Sequence, residues 1–207
     1  LTEKNITAEV CVHHLWFTDE DYALRGNRIK WNPAVKSRAD RDALREGLLN
    51  GKVDIVATDH APHSDEEKSQ PYWSCPSGGP SVQHSLVMML ELAQRGVCSV
   101  EKVVEKMCHA PAVRYGVVGR GFLREGYHAD IVVVDPAKPQ VVMRENVLYK
   151  CGWSPFEGER FSSSVELTLV GGRKAFAEGR ADRSVRGDRP VRDVSFTLHP
   201  GEVLAIV

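Results

Sequence analysis

What this chain lacks narrows the reading first. Its five cysteines, Cys11, Cys75, Cys98, Cys108 and Cys151, are odd in number and scattered, with no C-x-x-C pair. That speaks against a disulfide framework and a cysteine zinc site, and it fits a reducing cytoplasm. Neither sign of charge is in excess, the formal balance being −1, so nucleic acid and acidic membrane surfaces are not expected partners. No apolar run approaches the length of a membrane span, and no secretory signal is recognisable. An initiator methionine is missing too, the sequence starting at Leu1 close to an extended segment, and the expectation is a fragment of a longer protein. What is present is 207 residues at 42% hydrophobic content, enough to bury a core in one or two domains. The partner expected is a small molecule or another protein.

One stretch concentrates the chemistry. Val53-Asp54-Ile55-Val56-Ala57-Thr58-Asp59-His60-Ala61-Pro62-His63 is an apolar run that ends in a carboxylate, two histidines and a proline. A buried strand that delivers polar groups at its C-terminal end has this pattern, and in parallel-stranded barrels active sites lie at that end. Asp59 is therefore the first candidate for a catalytic residue.

The rest of the chain has an α/β rhythm followed by a β-rich portion. Residues 6–12 read as a strand that runs into His13-His14-Leu15-Trp16-Phe17. On a strand His13 and His14 would point to opposite faces, so at most one could face a given site; a hydrogen-bonded structural role outweighs a ligand role for both. Thr18 to Asp21 and Ser37 to Asp40 have the spacing of helix starts. The helix begun at Ser37 should bury Ala43, Leu44 and Leu48 and stop at Asn50-Gly51. Ile29-Lys30-Trp31-Asn32-Pro33 reads as a short extended piece, Asn32 being restricted by the following proline.

A long irregular loop follows Ser64-Asp65-Glu66-Glu67-Lys68 and runs to Pro80. Loops of this length are frequently functional, and Ser77-Gly78-Gly79 offers backbone that can approach a ligand closely, though a plain surface loop is as good a reading. Residues 81–94 should be helical with Val82, Leu86, Met89, Leu90 and Ala93 inward. Ser99 should cap a helix with Val100, Val103, Val104 and Met107 on one face, broken at Ala110-Pro111. Strands are expected over residues 130–135, 140–143 and 164–170, with a turn at Gly171-Gly172.

Several of these pieces, in this order, resemble the C-terminal half of the dihydroorotases, amidohydrolases of pyrimidine biosynthesis. They are Glu9-Val10-Cys11-Val12-His13-His14-Leu15, Trp31-Asn32-Pro33, Ala57-Thr58-Asp59-His60-Ala61-Pro62-His63, the segment 120–130 from Arg120-Gly121-Phe122 to Ala129-Asp130, and Gly152-Trp153-Ser154-Pro155-Phe156-Glu157-Gly158. The resemblance covers residues 1 to about 188. It implies the C-terminal part of a (β/α)8 TIM-type barrel over residues 1–118 and a small antiparallel β-sandwich portion over 119–188. It also implies a cytoplasmic enzyme that reversibly hydrolyses (S)-dihydroorotate to N-carbamoyl-L-aspartate. A homo-oligomer is compatible with it.

In that family zinc at the barrel mouth lowers the pKa of its bound water to about 7 and polarises the amide carbonyl. By position in the motif Asp59 matches the carboxylate that is both zinc ligand and acid/base. Asn32 and His63 match substrate-contacting positions, and Ser77 and Gly78 match the loop backbone that contacts the ring. Ser77 and Ser81 stand where Phe and Gly are frequent, which weakens the loop assignments. The family's other zinc ligands, a His-x-His, a bridging lysine or aspartate and two later histidines, have no match here. The expectation is that this polypeptide alone is inactive.

Two other readings stand beside this one: a non-catalytic dihydroorotase-like subunit, and another cyclic amidohydrolase, an allantoinase or hydantoinase. A third concerns residues 191–207, which resemble the opening of an ABC-transporter ATPase but lack its phosphate loop. The competing reading of that tail, over 189–207, is a closing β-hairpin.

Overall fold

Two short parallel strands, β1 (Glu9–Cys11) and β2 (Ile55–Ala57), pair Glu9 with Ile55 and Cys11 with Ala57. They lie at the base of the candidate site in the computed structural model, which describes residues 6–187. The expectations for 189–207, hairpin or ATPase-like opening, fall outside the described residues.

The strand expected over residues 6–12 is cut short. Beyond Cys11 the chain turns directly into α1 (Val12–Trp16). β-branched Val10 and Val12 suggest a strand locally, but helical geometry puts Val12, Leu15 and Trp16 into the core together. His13 and His14 therefore follow one another around a helical turn and do not face opposite sides of a strand, which corrects that argument.

A 3-10 turn at Asp19–Asp21 is closed at Thr18, whose backbone N–H donates to the Asp21 carboxylate at 2.7 Å. It leads into α2 (Tyr22–Arg25) and a second 3-10 turn, Gly26–Ile29, so the extended piece is shorter than expected and begins at Lys30. α3 (Arg38–Leu49) starts at Ser37, whose Oγ and backbone N–H both bond the Asp40 side chain, and it ends at Asn50. Of its three expected inward residues Leu48 is buried and Leu44 half-buried, but Ala43 is exposed and Gly47 is buried instead.

α4 (Asp65–Lys68) is one turn long, begun by Ser64 and Glu67. α5 (Ser85–Gln94) starts later than expected, which leaves Val82 exposed, and buries Val87, Met88, Met89 and Leu92. α6 (Val100–Val104), begun by Ser99, does not break at Ala110-Pro111. It widens into a π-helical turn, Glu105–His109, and continues as α7 (Ala110–Arg114). The proline falls in the first turn of α7, where its missing N–H costs little. Val103 is buried and Val100 is exposed.

Four strands form an antiparallel sheet in the order β3 (Ile131–Asp135), β6 (Ser164–Val170), β7 (Arg173–Ala177), β8 (Arg180–Ala181), with register shifts at Val133/Val134 and Thr168/Leu169. A separate pair joins β4 (Gln140–Val141) to β5 (Arg160–Phe161). Val142, Phe156 and Phe161 sit in the same core as Phe17, Trp31 and Met88, with Phe17 and Phe156 stacked at 5.2 Å between ring centroids. The chain is thus an α/β assembly with one parallel strand pair and two separate sets of antiparallel strands.

Candidate active site

Asp59 lies two residues beyond β2 and is exposed, with φ of 44°. A non-glycine residue in the left-handed region is uncommon, although Asp tolerates it better than most. Held strain of this kind clusters at functional sites. Its neighbours hold it in place. Ser81 Oγ donates to the Thr58 carbonyl at 2.5 Å, and the Ser81 and Val82 amides donate to His60 Nδ1 at 3.1 and 3.4 Å. Burial lowers the His60 pKa, which keeps that ring nitrogen an acceptor. His60 thereby anchors the start of α5's lead-in to the strand end.

The Asp59 charge is felt at the end of β1. Burial, then Asp59 and Glu9, push the Cys11 thiol up to about 12. Burial lowers the His14 pKa, and the hydrogen bond to Pro33 and the Asp59 charge oppose it while Lys36 adds to it. His14 Nε2 donates to the Pro33 carbonyl at 2.9 Å, which ties α1 to the segment carrying Asn32. Asn32 itself is exposed.

His63, Ser77 and Gly78 form a second group. His63 Nε2 lies 3.1 Å from the Ser77 carbonyl, to which it donates, and Nδ1 is 3.4 Å from a Glu67 oxygen. The Ser64 backbone bond, with His63 close by, holds the Glu67 carboxyl below its usual range. The Gly78 N–H donates to the Lys30 carbonyl at 2.9 Å, so that amide is already engaged. A Cβ at Gly78 would sit 2.7 Å from the Ala61 carbonyl oxygen, at a φ of +122°, so only glycine fits there. No hydrogen bond among the described residues joins Asp59 to Asn32, His63, Ser77 or Gly78.

Lys68 holds this second group together and was not legible as a site residue. Its buried ammonium donates to the carbonyls of Gly78 at 2.8 Å, Pro76 at 3.0 Å and Lys30 at 3.3 Å. Read from sequence it closes a polar run. The usable signal was the Ser64 to Glu67 capping spacing, which makes α4 a helical turn and directs Lys68 inward. The aromatic motifs have parallel roles. Trp153 Nε1 donates to the His63 carbonyl at 2.8 Å, and the Trp31 ring lies 2.9 Å from where a Gly79 Cβ would be. In the segment 120–130, Arg120 pairs with Asp130, and Gly121, at φ +78°, packs against Ala112 and the Cys108 carbonyl.

A cavity of about 470 Å³ is lined by Leu24, Arg25, Arg28, Lys68, Ser154 and Glu157, among others, and by none of the five candidate residues. Of the five, Asn32, Asp59 and Ser77 are exposed, His63 is half-buried and Gly78 is buried. Zinc is the metal the resemblance implies. Among the described residues the group with metal-ligand spacing is Cys11, His13 and His14, and it does not include Asp59. One carboxylate does not fit a catalytic zinc, which takes about three protein ligands.

The model of the amidohydrolase family matches residues 2–175. The chain belongs to the amidohydrolase family. It is 38% identical over 168 residues to a dihydroorotase of Endomicrobium trichonymphae, a match covering 81% of this chain and 40% of that protein. A dihydroorotase of Halobacterium salinarum is 38% identical over 166 residues, 80% of this chain and 39% of that protein. Among solved structures, L-hydantoinase (dihydropyrimidinase) from Arthrobacter aurescens superposes with a TM-score of 0.80 at 30% identity, covering 84% of this chain and 40% of that one. This amidohydrolase chain spans about two fifths of the length of the curated relatives it matches. No helix among the described residues is long and apolar enough to cross a membrane.

Proposed function

We propose that this amidohydrolase chain supplies the C-terminal part of a (β/α)8 barrel, residues 1–118, and a β-sandwich portion, 119–188, of a cytoplasmic cyclic amide hydrolase acting on dihydroorotate. The observation that carries the reading is Asp59, held in a left-handed conformation just past the C-terminal end of a parallel strand. In this reading Asp59 takes the proton of the attacking water and returns it to the departing ring nitrogen, which opens dihydroorotate to N-carbamoyl-L-aspartate. Reversal of the same transfers closes the ring. His63 turns its Nε2–H from the Ser77 carbonyl to a substrate oxygen, and Asn32 offers an exposed amide. The Ser77-Gly78 backbone lines the ring, with Lys68 holding the Gly78 carbonyl in place.

Zinc when bound would supply Lewis-acid polarisation of the carbonyl. Asp59 alone does not hold it, so residues 1–207 by themselves are expected to leave dihydroorotate unchanged, and measurable turnover by the purified chain would contradict this count of ligands. The function itself is tested by a chimera in which residues 2–175 replace the matching segment of the Endomicrobium trichonymphae dihydroorotase. The chimera should hydrolyse dihydroorotate, and Asp59→Asn should lower its kcat by at least about 100-fold. The structural likeness to L-hydantoinase supports a second reading. A chimera that opens hydantoin in preference to dihydroorotate would replace the first reading with it, and a folded chimera inactive on both would favour a non-catalytic subunit.

A further inference from the structure

We propose that Cys11, His13 and His14 form a binding site for a thiophilic divalent cation of the Zn2+ class, beside Asp59 and independent of any metal held by that carboxylate. β1 ends at Cys11 and α1 begins at Val12. This abrupt change from strand to helix brings one ligand atom from each of the three side chains within 4.8 Å of the others. Zinc bonds of about 2.0 to 2.3 Å place tetrahedral ligands closer than that, so small χ rotations complete the set. One thiolate and two imidazoles, with a further position open to water, are a borderline-soft donor set that suits Zn2+.

Two independent observations point to a ligand there. His13 is fully buried, and neither of its ring nitrogens has a hydrogen-bond partner among the described residues. Buried imidazole nitrogens are normally paired, and an orphaned pair calls for an unseen occupant. The ring is fixed by stacking on Trp31, 4.0 Å between centroids at 4°, so stacking explains its plane while leaving both nitrogens open. His14 supplies the second observation. Its Nε2 donates to the Pro33 carbonyl, which leaves the Nδ1 lone pair for a cation, the arrangement that outer partners impose on ligating histidines. Metal binding forms the Cys11 sulfur–metal bond and releases the thiol proton to solvent.

The test titrates the full chain with Co2+ alone. The wild-type protein should show a near-ultraviolet sulfur-to-cobalt charge-transfer band together with the intense visible bands of tetrahedral cobalt. Cys11→Ser should abolish the charge-transfer band, and both Cys11→Ser and His14→Ala should weaken binding by at least tenfold, the smaller effect that losing even an outer partner has. Asp59→Asn should keep the band. His13→Ala removes a core ring and is not relied on; Cys11 and His14 are only half-buried, and far-ultraviolet circular dichroism checks that their variants fold. A wild-type chain without the charge-transfer band, a band that survives Cys11→Ser, or a band lost in folded Asp59→Asn would each overturn the proposal.

Discussion

His84 gives a pH dependence that can be worked out in advance. Its side chain is buried, and Nδ1 accepts from Ser154 Oγ at 3.1 Å, with the Tyr149 hydroxyl at 3.5 Å. Ser154 Oγ in turn accepts the Phe156 N–H at 3.2 Å, so its one proton is directed at His84. An imidazolium would put a second proton, and a charge, into that buried pair. Burial accordingly lowers the His84 pKa from 6.5 to about 4. Because the folded pKa is the lower one, the unfolded chain takes up a proton between pH 6.5 and about 4 while the folded chain does not. Stability is complete above pH 6.5 and falls as the pH drops through this window. The loss amounts to about 1.4 kcal/mol per pH unit, or roughly 2 kcal/mol between pH 7 and pH 5. With a urea m-value of about 2 kcal/mol per molar, the midpoint should fall by about 1 M from this group alone. His84→Asn keeps an acceptor and does not titrate. Burial depresses His13, His14 and His60 in the same direction, but those groups are unchanged in the variant, so the difference between the two proteins isolates His84. Urea unfolding of both at pH 7 and pH 5 decides the matter: equal losses in the two would refute the argument.

Other substitutions probe the site's supports. Gly78→Ala should cost about 1 to 3 kcal/mol in thermal unfolding, because strain at a positive φ adds to the close approach of the Ala61 carbonyl. Lys68→Met should cost about 2 to 3 kcal/mol in urea unfolding. The Gly78 carbonyl then loses its donor, whereas the Lys30 carbonyl keeps the Gly78 N–H and the Pro76 carbonyl keeps the Cys75 thiol at 3.4 Å. Asp59→Gly should raise stability by up to about 1 kcal/mol, since the left-handed conformation suits glycine. The same substitution should abolish activity in the chimera, so a gain in stability with loss of turnover is the expected signature. Ser37→Ala should cost about 1 kcal/mol, measured by the same unfolding assay.

Local chemistry was readable where one short segment decides the outcome. The Ser37 to Asp40 spacing starts a helix because its two reciprocal bonds lie within four residues. The alternation of Val165, Leu167 and Leu169 marks β6 for the same reason. Asp59 was legible as a carboxylate at a strand end. What failed depends on partners distant in sequence. Val10 and Val12 favour extended backbone, but α1 forms because Leu15, Trp16 and Phe17 meet Trp31, Phe156 and Phe161 in the core. That single switch also turned His13 and His14 from opposite-facing strand residues into neighbours of Cys11. The π turn at Glu105–His109 has no local signature beyond the proline that follows it.

Lys68 has one more consequence, for how the loop after it can vary. Its ammonium ties the residue that ends α4 to the carbonyls of Pro76 and Gly78, and the Cys75 thiol reaches back to the Lys68 carbonyl at 3.7 Å. Residues 68 to 78 thus form a ring closed without a covalent link, with Ser77 and Gly78 at the clasp and Trp73, 92% exposed, at the far side. Closure entropy rises only slowly with ring length. The Gln70 and Tyr72 carbonyls are themselves held by Asn27 and Lys30 at 2.6 Å each, so a change in loop length is tolerated best at the exposed Trp73, where it leaves the clasp in register.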